Sequence, residues 1–159
     1  MIEVAILTVS DSAFAGKRED LSGPALKKRC DELSWNVRAT AIIPDDAATI
    51  SRQLAEWADE DTPMLILTTG GTGVSARDNT PEATRAVLER ELPGIGELLR
   101  AKGLEQTRFS VLSRGVAGTR KQAFVVNLPG SPAGALFSLD VIEHLVKHVV
   151  NLLSGETGH

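Results

Sequence analysis

The feature that most constrains this chain is a recurring order: a continuous apolar run, a loop rich in Gly, Pro, Asp or Ser, then apolar residues at helical spacing. The runs are residues 4–9, 37–43, 64–68 and 123–128. Apolar runs without polar alternation suit strands buried on both faces, and strands alternating with helical segments build βαβ units whose sheet is mostly parallel and covered by helices. The helical patterns are Ala25, Leu26, Cys30 and Leu33 after Ser22-Gly23-Pro24, then Ile50, Leu54 and Trp57, then a helix opened by Thr80-Pro81-Glu82 with Thr80 as its cap. Ile95, Leu98 and Leu99 mark another, ending at Gly103, and a long apolar stripe from Leu136 to Leu153 marks the last. Residues 109–112 read as a further short strand. The expected fold is α/β, a three-layer α/β/α arrangement with a mostly parallel central sheet, in a single domain over residues 1–155 with 156–159 as a frayed tail.

Composition narrows the function. A chain of 159 residues, 42% hydrophobic, can bury a core without disulfide or metal staples. Cys30 is its single cysteine, so an intramolecular disulfide or a Cys-based zinc cage is excluded and a reducing compartment is expected. Its place on the apolar side of a helix marks it as a structural thiol. No apolar run approaches the roughly 20 residues of a membrane span, and Met1 to Leu7 lack the basic flank of a signal peptide. A cytoplasmic protein that avoids membranes is expected. With 17 basic against 21 acidic residues and 4% aromatics, nothing here resembles a nucleic-acid surface. An anionic small substrate stays open, because local amides and a few arginines can outweigh net charge.

In open parallel sheets ligands bind beyond the carboxyl ends of the strands, so the loops leaving the strands are where chemistry is expected. Four stand out: Ser10-Asp11-Ser12, Pro44-Asp45-Asp46, Gly70-Gly71-Thr72-Gly73 with Asp78, and Pro129-Gly130-Ser131-Pro132. Glycines after a buried strand let backbone N–H groups converge on phosphate, although a plain tight turn also needs such residues. Residues 71–76 formally fit the dinucleotide pattern G-x-G-x-x-A, but that pattern requires a helix to begin within the glycine turn, and the capping signal comes later, at Asn79-Thr80-Pro81. Asp45 and Asp78 follow different strands yet should face one edge, where a divalent cation could bridge them to phosphate oxygens; alternatively Asp45 or Asp46 caps a helix and Asp78 closes a turn. Arg77, Arg114, Arg120 and Lys121 could neutralise phosphate, or simply face solvent. His144 and His148, four apart on the last helix, fall on its polar side and lack the H-E-x-x-H context of a zinc site.

Taken together, Thr8-Val9-Ser10-Asp11-Ser12, Pro44-Asp45-Asp46, Thr68-Thr69-Gly70-Gly71-Thr72-Gly73, Arg77-Asp78-Asn79-Thr80-Pro81-Glu82-Ala83, Leu112-Ser113-Arg114 and Asn127-Leu128-Pro129-Gly130-Ser131-Pro132 resemble the MogA/MoaB-type molybdenum cofactor proteins, closest to the molybdopterin adenylyltransferases. The resemblance covers nearly the whole chain. It implies a molybdopterin-binding fold, a homotrimer, and transfer of AMP from Mg-ATP to the terminal phosphate of molybdopterin with release of pyrophosphate, the product passing to a molybdenum insertase. By the same resemblance Asp45 and Asp78 are the essential acids and tentative Mg2+ ligands. Ser10, Asp11, Gly70, Gly71, Thr72, Gly73, Thr80, Ser113, Arg114, Pro129, Gly130, Ser131 and Pro132 are expected to bind pterin and nucleotide. The stretch after Pro132 passes directly into one helix and is shorter than in longer members. A MoaB-type protein that binds molybdopterin without transferring AMP is the alternative, and a dinucleotide enzyme a more distant one.

Overall fold

The computed structural model describes residues 1–157, so the part of the expected tail at Gly158 and His159 lies outside the described residues. Six strands form one sheet in the order β2-β1-β3-β6-β5-β4. They are β1 (Glu3–Val9), β2 (Asn36–Ile43), β3 (Met64–Thr69), β4 (Arg90–Glu91), β5 (Ala117–Arg120) and β6 (Ala123–Leu128). The pairs of β1 with β2, β1 with β3 and β3 with β6 are parallel, while β5 runs antiparallel to β6 and β4 antiparallel to β5.

The helices are α1 (Asp11–Phe14), α2 (Ser22–Glu32), α3 (Ala47–Ala58), α4 (Thr80–Arg85), α5 (Pro93–Gly103) and α6 (Pro132–Leu153). Strand side chains alternate between the two faces, as the pleat dictates. Val4, Ile6, Leu65, Leu67, Phe124, Val126 and Leu128 pack with Leu26 and Cys30 of α2, the apolar stripe of α6, and Ile95 and Leu99 of α5. Ala5, Leu7, Val9, Met64, Ile66 and Val125 pack with Ile50, Leu54 and Trp57 of α3 and Ala83 of α4. Hence β1 from Val4 onward, β3 and β6 are buried, whereas β2, at the sheet edge, alternates between exposed and half-buried residues until the buried Ile43. Cys30 is buried in the first of these layers, and desolvation pushes its thiol up to about 12, as suits an unreactive packing residue.

Two local expectations are corrected. Residues 109–112 are not a strand but belong to a 3-10 turn, Arg108–Leu112, because Thr107 Oγ1 accepts the Phe109 N–H at 3.2 Å and no neighbouring strand offers a ladder. Thr80 does not cap α4: it is the first helical residue, and its hydroxyl donates instead to the carbonyl of Gly70 at 2.9 Å.

The register aligns the strand ends. Val9 lies beside Ile43, Thr8 beside Thr69, and Thr69 beside Leu128, so the four loops singled out above leave the same edge. Just below that edge a buried polar network replaces the apolar core. Asn127 donates to Thr68 Oγ1 at 2.9 Å and Thr84 Oγ1 at 3.0 Å and accepts the Val116 N–H at 3.1 Å, and Thr84 donates to the carbonyl of Thr80 at 2.7 Å. Every buried polar atom among the described side chains is paired, so removing the hub is costly. Asn127→Leu should lower the unfolding free energy by about 2–3 kcal/mol, because the Val116 N–H is left without an acceptor. Urea unfolding would show it as a lower midpoint at unchanged slope; a loss under about 1 kcal/mol would mean the network relaxes around the substitution.

Candidate active site

The loop after β3 sets the geometry. Gly70 and Gly71 have φ of 100° and 69°, in the left-handed region that side chains rarely adopt. A Cβ on Gly70 would be driven into the carbonyl oxygen of Val9, and one on Gly71 into Thr80 Oγ1 while lying 2.7 Å from Asp45 Oδ2. A Cβ on Gly73 would sit 2.8 Å from Asp78 Oδ2. The turn therefore lies flush against two carboxylates, one at each end, in addition to the end of β1.

Each acid is fixed by backbone groups. Asp45 is only 6% exposed; its Oδ1 accepts the Asn79 N–H at 3.0 Å, and the Asn79 side chain donates to the Asp45 carbonyl at 3.2 Å. Burial pushes the Asp45 carboxyl above the usual range, the Asn79 N–H pulls it back, and the negative charges of Asp78 and Asp11 push the same way as burial. The neighbouring Asp46 does the capping, accepting the Thr49 N–H at 3.0 Å at the start of α3. Asp78 Oδ2 accepts the Ser75 N–H at 2.9 Å and so closes the loop that follows the glycines.

Asp11 and Arg77 form a two-point pair, with Nε and Nη2 of the arginine at 2.9 and 2.8 Å from the carboxylate. That pair, and the Asp45 N–H donated to Asp11 at 2.9 Å, hold the Asp11 carboxyl below its usual range. The Arg77 side chain is 63% exposed, so the pair adds little stability and ties three loops together loosely. Arg114 is engaged by protein acceptors: Nε donates to the Gly73 carbonyl at 2.7 Å, Nη2 to the Asp78 carbonyl at 2.9 Å, and Nη1 to Glu82.

Two openings flank the Pro129-Gly130-Ser131-Pro132 turn. One, about 300 Å3, is lined by Ile95, Leu99, Phe109, Phe137, Ser113 and Ser131, among others. The other, about 370 Å3, is bordered by Ser10, Asp20, Gly70, Gly130, Ser131 and Pro132. Ser131 borders both and caps α6 by accepting the Gly134 N–H at 3.1 Å; Ser10 caps α1 in the same way, accepting the Ala13 N–H at 3.2 Å. Thr72 is buried in the turn, and its carbonyl accepts the Arg114 N–H at 2.9 Å.

Not every candidate belongs here. Arg120 pairs with Asp59 at 2.9 and 3.0 Å, and Lys121 is beside it, at the β5–β6 end of the sheet where Arg120 faces Ala123, opposite the glycine turn. His144 and His148 are exposed on α6, and among the described residues no group of three or more His, Cys, Asp or Glu side chains gathers as a metal cluster. The helix after the glycine turn begins at Thr80, so the dinucleotide fingerprint is not met. Spacing alone does not point to the bonds of Asn79 with Asp45, Glu82 with Arg114 or Asn127 with Thr68, because these partners lie 32 to 59 residues apart and only the fold joins them.

Fold and loop geometry define a three-layer α/β protein whose glycine and aspartate loops converge at the carboxyl edge of a mostly parallel sheet. A family described as "Probable molybdopterin binding domain" matches residues 5–148, and the chain belongs to that family. It is 37% identical over 156 residues to a molybdopterin adenylyltransferase of Helicobacter pylori, covering 97% of this chain and 89% of the relative. It is 36% identical over 156 residues to the molybdenum cofactor synthesis protein cinnamon of Drosophila melanogaster, covering 98% of this chain but only 26% of that longer protein. The crystal structure of the molybdopterin biosynthesis enzyme MoaB of Thermus thermophilus superposes with a TM-score of 0.89 at 45% identity, covering 98% of each chain.

The burial of Asp45 has a measurable cost. Its folded-state pKa is raised, so the stability it contributes is present below the unfolded carboxylate pKa of about 3.9 and is lost as pH rises through the folded value. Asp45→Asn should therefore melt at a higher temperature than the parent at pH 7, with the difference vanishing near pH 3. Thermal unfolding across that range checks it, and a lower melting temperature at pH 7 would contradict the sign.

Proposed function

We propose that this protein is a molybdopterin adenylyltransferase of molybdenum cofactor biosynthesis. The terminal phosphate oxygen of molybdopterin attacks the α-phosphorus of ATP, the bond from that phosphorus to the bridging oxygen breaks, and pyrophosphate leaves. The observation that carries this reading is the convergence of Asp45 and Asp78 on one glycine turn, at Gly71 and Gly73, in a chain of the molybdopterin-binding family. The catalytic domain is residues 1–155. Ser10, Asp11, Thr80, Ser113 and the two turns at residues 70–73 and 129–132 form the ground on which pterin and nucleotide meet, with Arg114 bordering them.

Joining two polyanions requires neutralised charge and in-line placement more than covalent help from the protein. Two carboxylates are too few for an all-protein magnesium cage, but they suit Mg2+ that arrives on ATP and keeps phosphate and water ligands. Asp45 and Asp78 would hold that metal-bound triphosphate. Neither acts as a nucleophile. The Gly70 N–H is held by the Leu128 carbonyl at 3.2 Å, so the remaining amides of the glycine turn are the donors for the charge that builds on the transferring phosphoryl group. We further propose a cytoplasmic homotrimer that hands adenylylated molybdopterin to a molybdenum insertase. No helix among the described residues is long and apolar enough to cross a membrane, which is compatible with that setting.

The second reading is a MoaB-type protein that binds molybdopterin without transferring AMP, and the 45% identity to the Thermus MoaB favours it. Incubation with molybdopterin and Mg-ATP, followed by detection of the AMP-linked pterin, separates the two. Asp78→Asn should keep the fold and molybdopterin binding while lowering AMP transfer by about 100-fold or more. Undiminished turnover in that variant would refute the assignment.

A further inference from the structure

We infer that Arg114, with Glu82 behind it, is a positioning clamp that sets Asp78 for catalysis, and not a ligand-binding cation. This rests on the adenylyl-transfer reading. The segment between the glycine turn and α4 runs from Gly73 to Asp78 without helix or strand of its own, and its residues 74–77 are exposed. Such a segment is mobile unless something ties its two ends. Asp78 makes an internal tie, since its N–H donates to the Ser75 carbonyl at 2.9 Å and its carboxylate accepts the Ser75 N–H at 2.9 Å. That bond shapes the loop but does not anchor it to the sheet.

Arg77 and Asn79 tie the segment to the loops after β1 and β2, and Arg114 supplies the anchor that spans its two ends. Its Nε reaches the carbonyl at the start of the segment, Gly73, and its Nη2 the carbonyl at the end, Asp78, at 2.7 and 2.9 Å. Its own N–H holds the Thr72 carbonyl at 2.9 Å. One planar group thus spans both ends of the loop, a geometry that guanidinium allows and ammonium does not. The Glu82 carboxylate, in the first turn of α4, takes Nη1 and fixes the plane of the guanidinium. With three of its five side-chain N–H groups given to protein acceptors, one on each nitrogen, and its charge matched by Glu82, Arg114 is less available to a phosphate than a free cation. The same contacts determine how far Asp78 stands from Gly73, and a displacement of about 1 Å in such a site can cost on the order of 100-fold in rate.

The tests use the purified full chain. Arg114→Lys keeps the charge but cannot span both carbonyls; Glu82→Gln keeps an acceptor but loses the charge. Amide exchange read at Ser75 and Asp78 should accelerate at least about 10-fold in Arg114→Lys, and less in Glu82→Gln, with sheet amides unchanged. Loop exchange unchanged in both variants would overturn the clamp, whatever the activity. In AMP transfer, Arg114→Lys should lower kcat by about 10-fold or more, leave KM for ATP and molybdopterin within about twofold, and cost almost nothing further in an Asp78→Asn background. A raised KM at preserved kcat, or a full additional loss in that background, would make Arg114 a ligand contact and overturn the inference. A wild-type chain that transfers no AMP would sink the adenylyl-transfer reading, and the exchange measurement would still decide whether the clamp exists. Should Arg114→Lys fail to fold, Glu82→Gln carries both measurements.

Discussion

Everything at the carboxyl edge of the sheet depends on the main chain turning at Gly70 and Gly71 through positive φ with no Cβ on either side. Three separate segments press against that turn: the end of β1 through Val9, the loop after β2 through Asp45, and the start of α4 through Thr80. An alanine at either position would add a left-handed penalty to a collision, so the turn is specified twice, by conformation and by space. The turn at Gly130 approaches from the end of β6, and a Cβ there would lie 3.2 Å from the Gly70 Cα. Glycine at these positions brings backbone amides and two carboxylates into one small region, which longer side chains would hold apart.

That arrangement runs against folding stability in a recognisable way. An apolar core gives way at the strand ends to threonines and Asn127, each paired, and then to carboxylates of which one is buried with a raised pKa. The core below is complete, with β1, β3 and β6 buried on both faces, so the sheet can carry an edge that is electrostatically unfavourable by itself. A site that assembles charge for a ligand is expected to be less stable than the scaffold beneath it, and the polar network around Asn127 is the seam between the two.

The fold was largely legible because buried parallel strands declare themselves as unbroken apolar runs, and the capping residues of α3 and α6, Asp46 and Ser131, sit where sequence rules put them. β4 and β5 are not legible in the sequence, because a two-residue strand and the sequence Ala-Gly-Thr-Arg carry no period. The strand expected at residues 109–112 failed for the opposite reason: β-prone side chains there are exposed, and a local Thr107 cap decides the backbone. At the site, the residue types and loops were readable, since glycines, prolines and aspartates mark turns. Their pairings were not. Nothing in spacing says that Arg77 should meet Asp11, 66 residues away, or that Arg114 should meet Glu82 and not a phosphate. Basic residues near a glycine loop read alike from sequence, and only the fold separates those turned inward from Arg120 at the far end of the sheet.

The pairing of both site arginines bears on how an acidic rim could accept polyanions. Asp45 and Asp78 abut the glycine turn, and the nearby cations Arg77 and Arg114 are already matched to Asp11 and Glu82. Bare triphosphate at that rim would meet the charges of Asp45 and Asp78, which Arg77 offsets only in part and only at Asp45. With a divalent cation the sign would invert: under the proposed function the same carboxylates would attract the nucleotide by way of its metal, leaving phosphate oxygens to the turn's amides other than that of Gly70. Under the adenylyl-transfer reading, discrimination between metal-loaded and free nucleotide is therefore a property of the rim's charge. It follows from two aspartates that the fold keeps without a cationic partner, and it needs no dedicated phosphate-binding side chain.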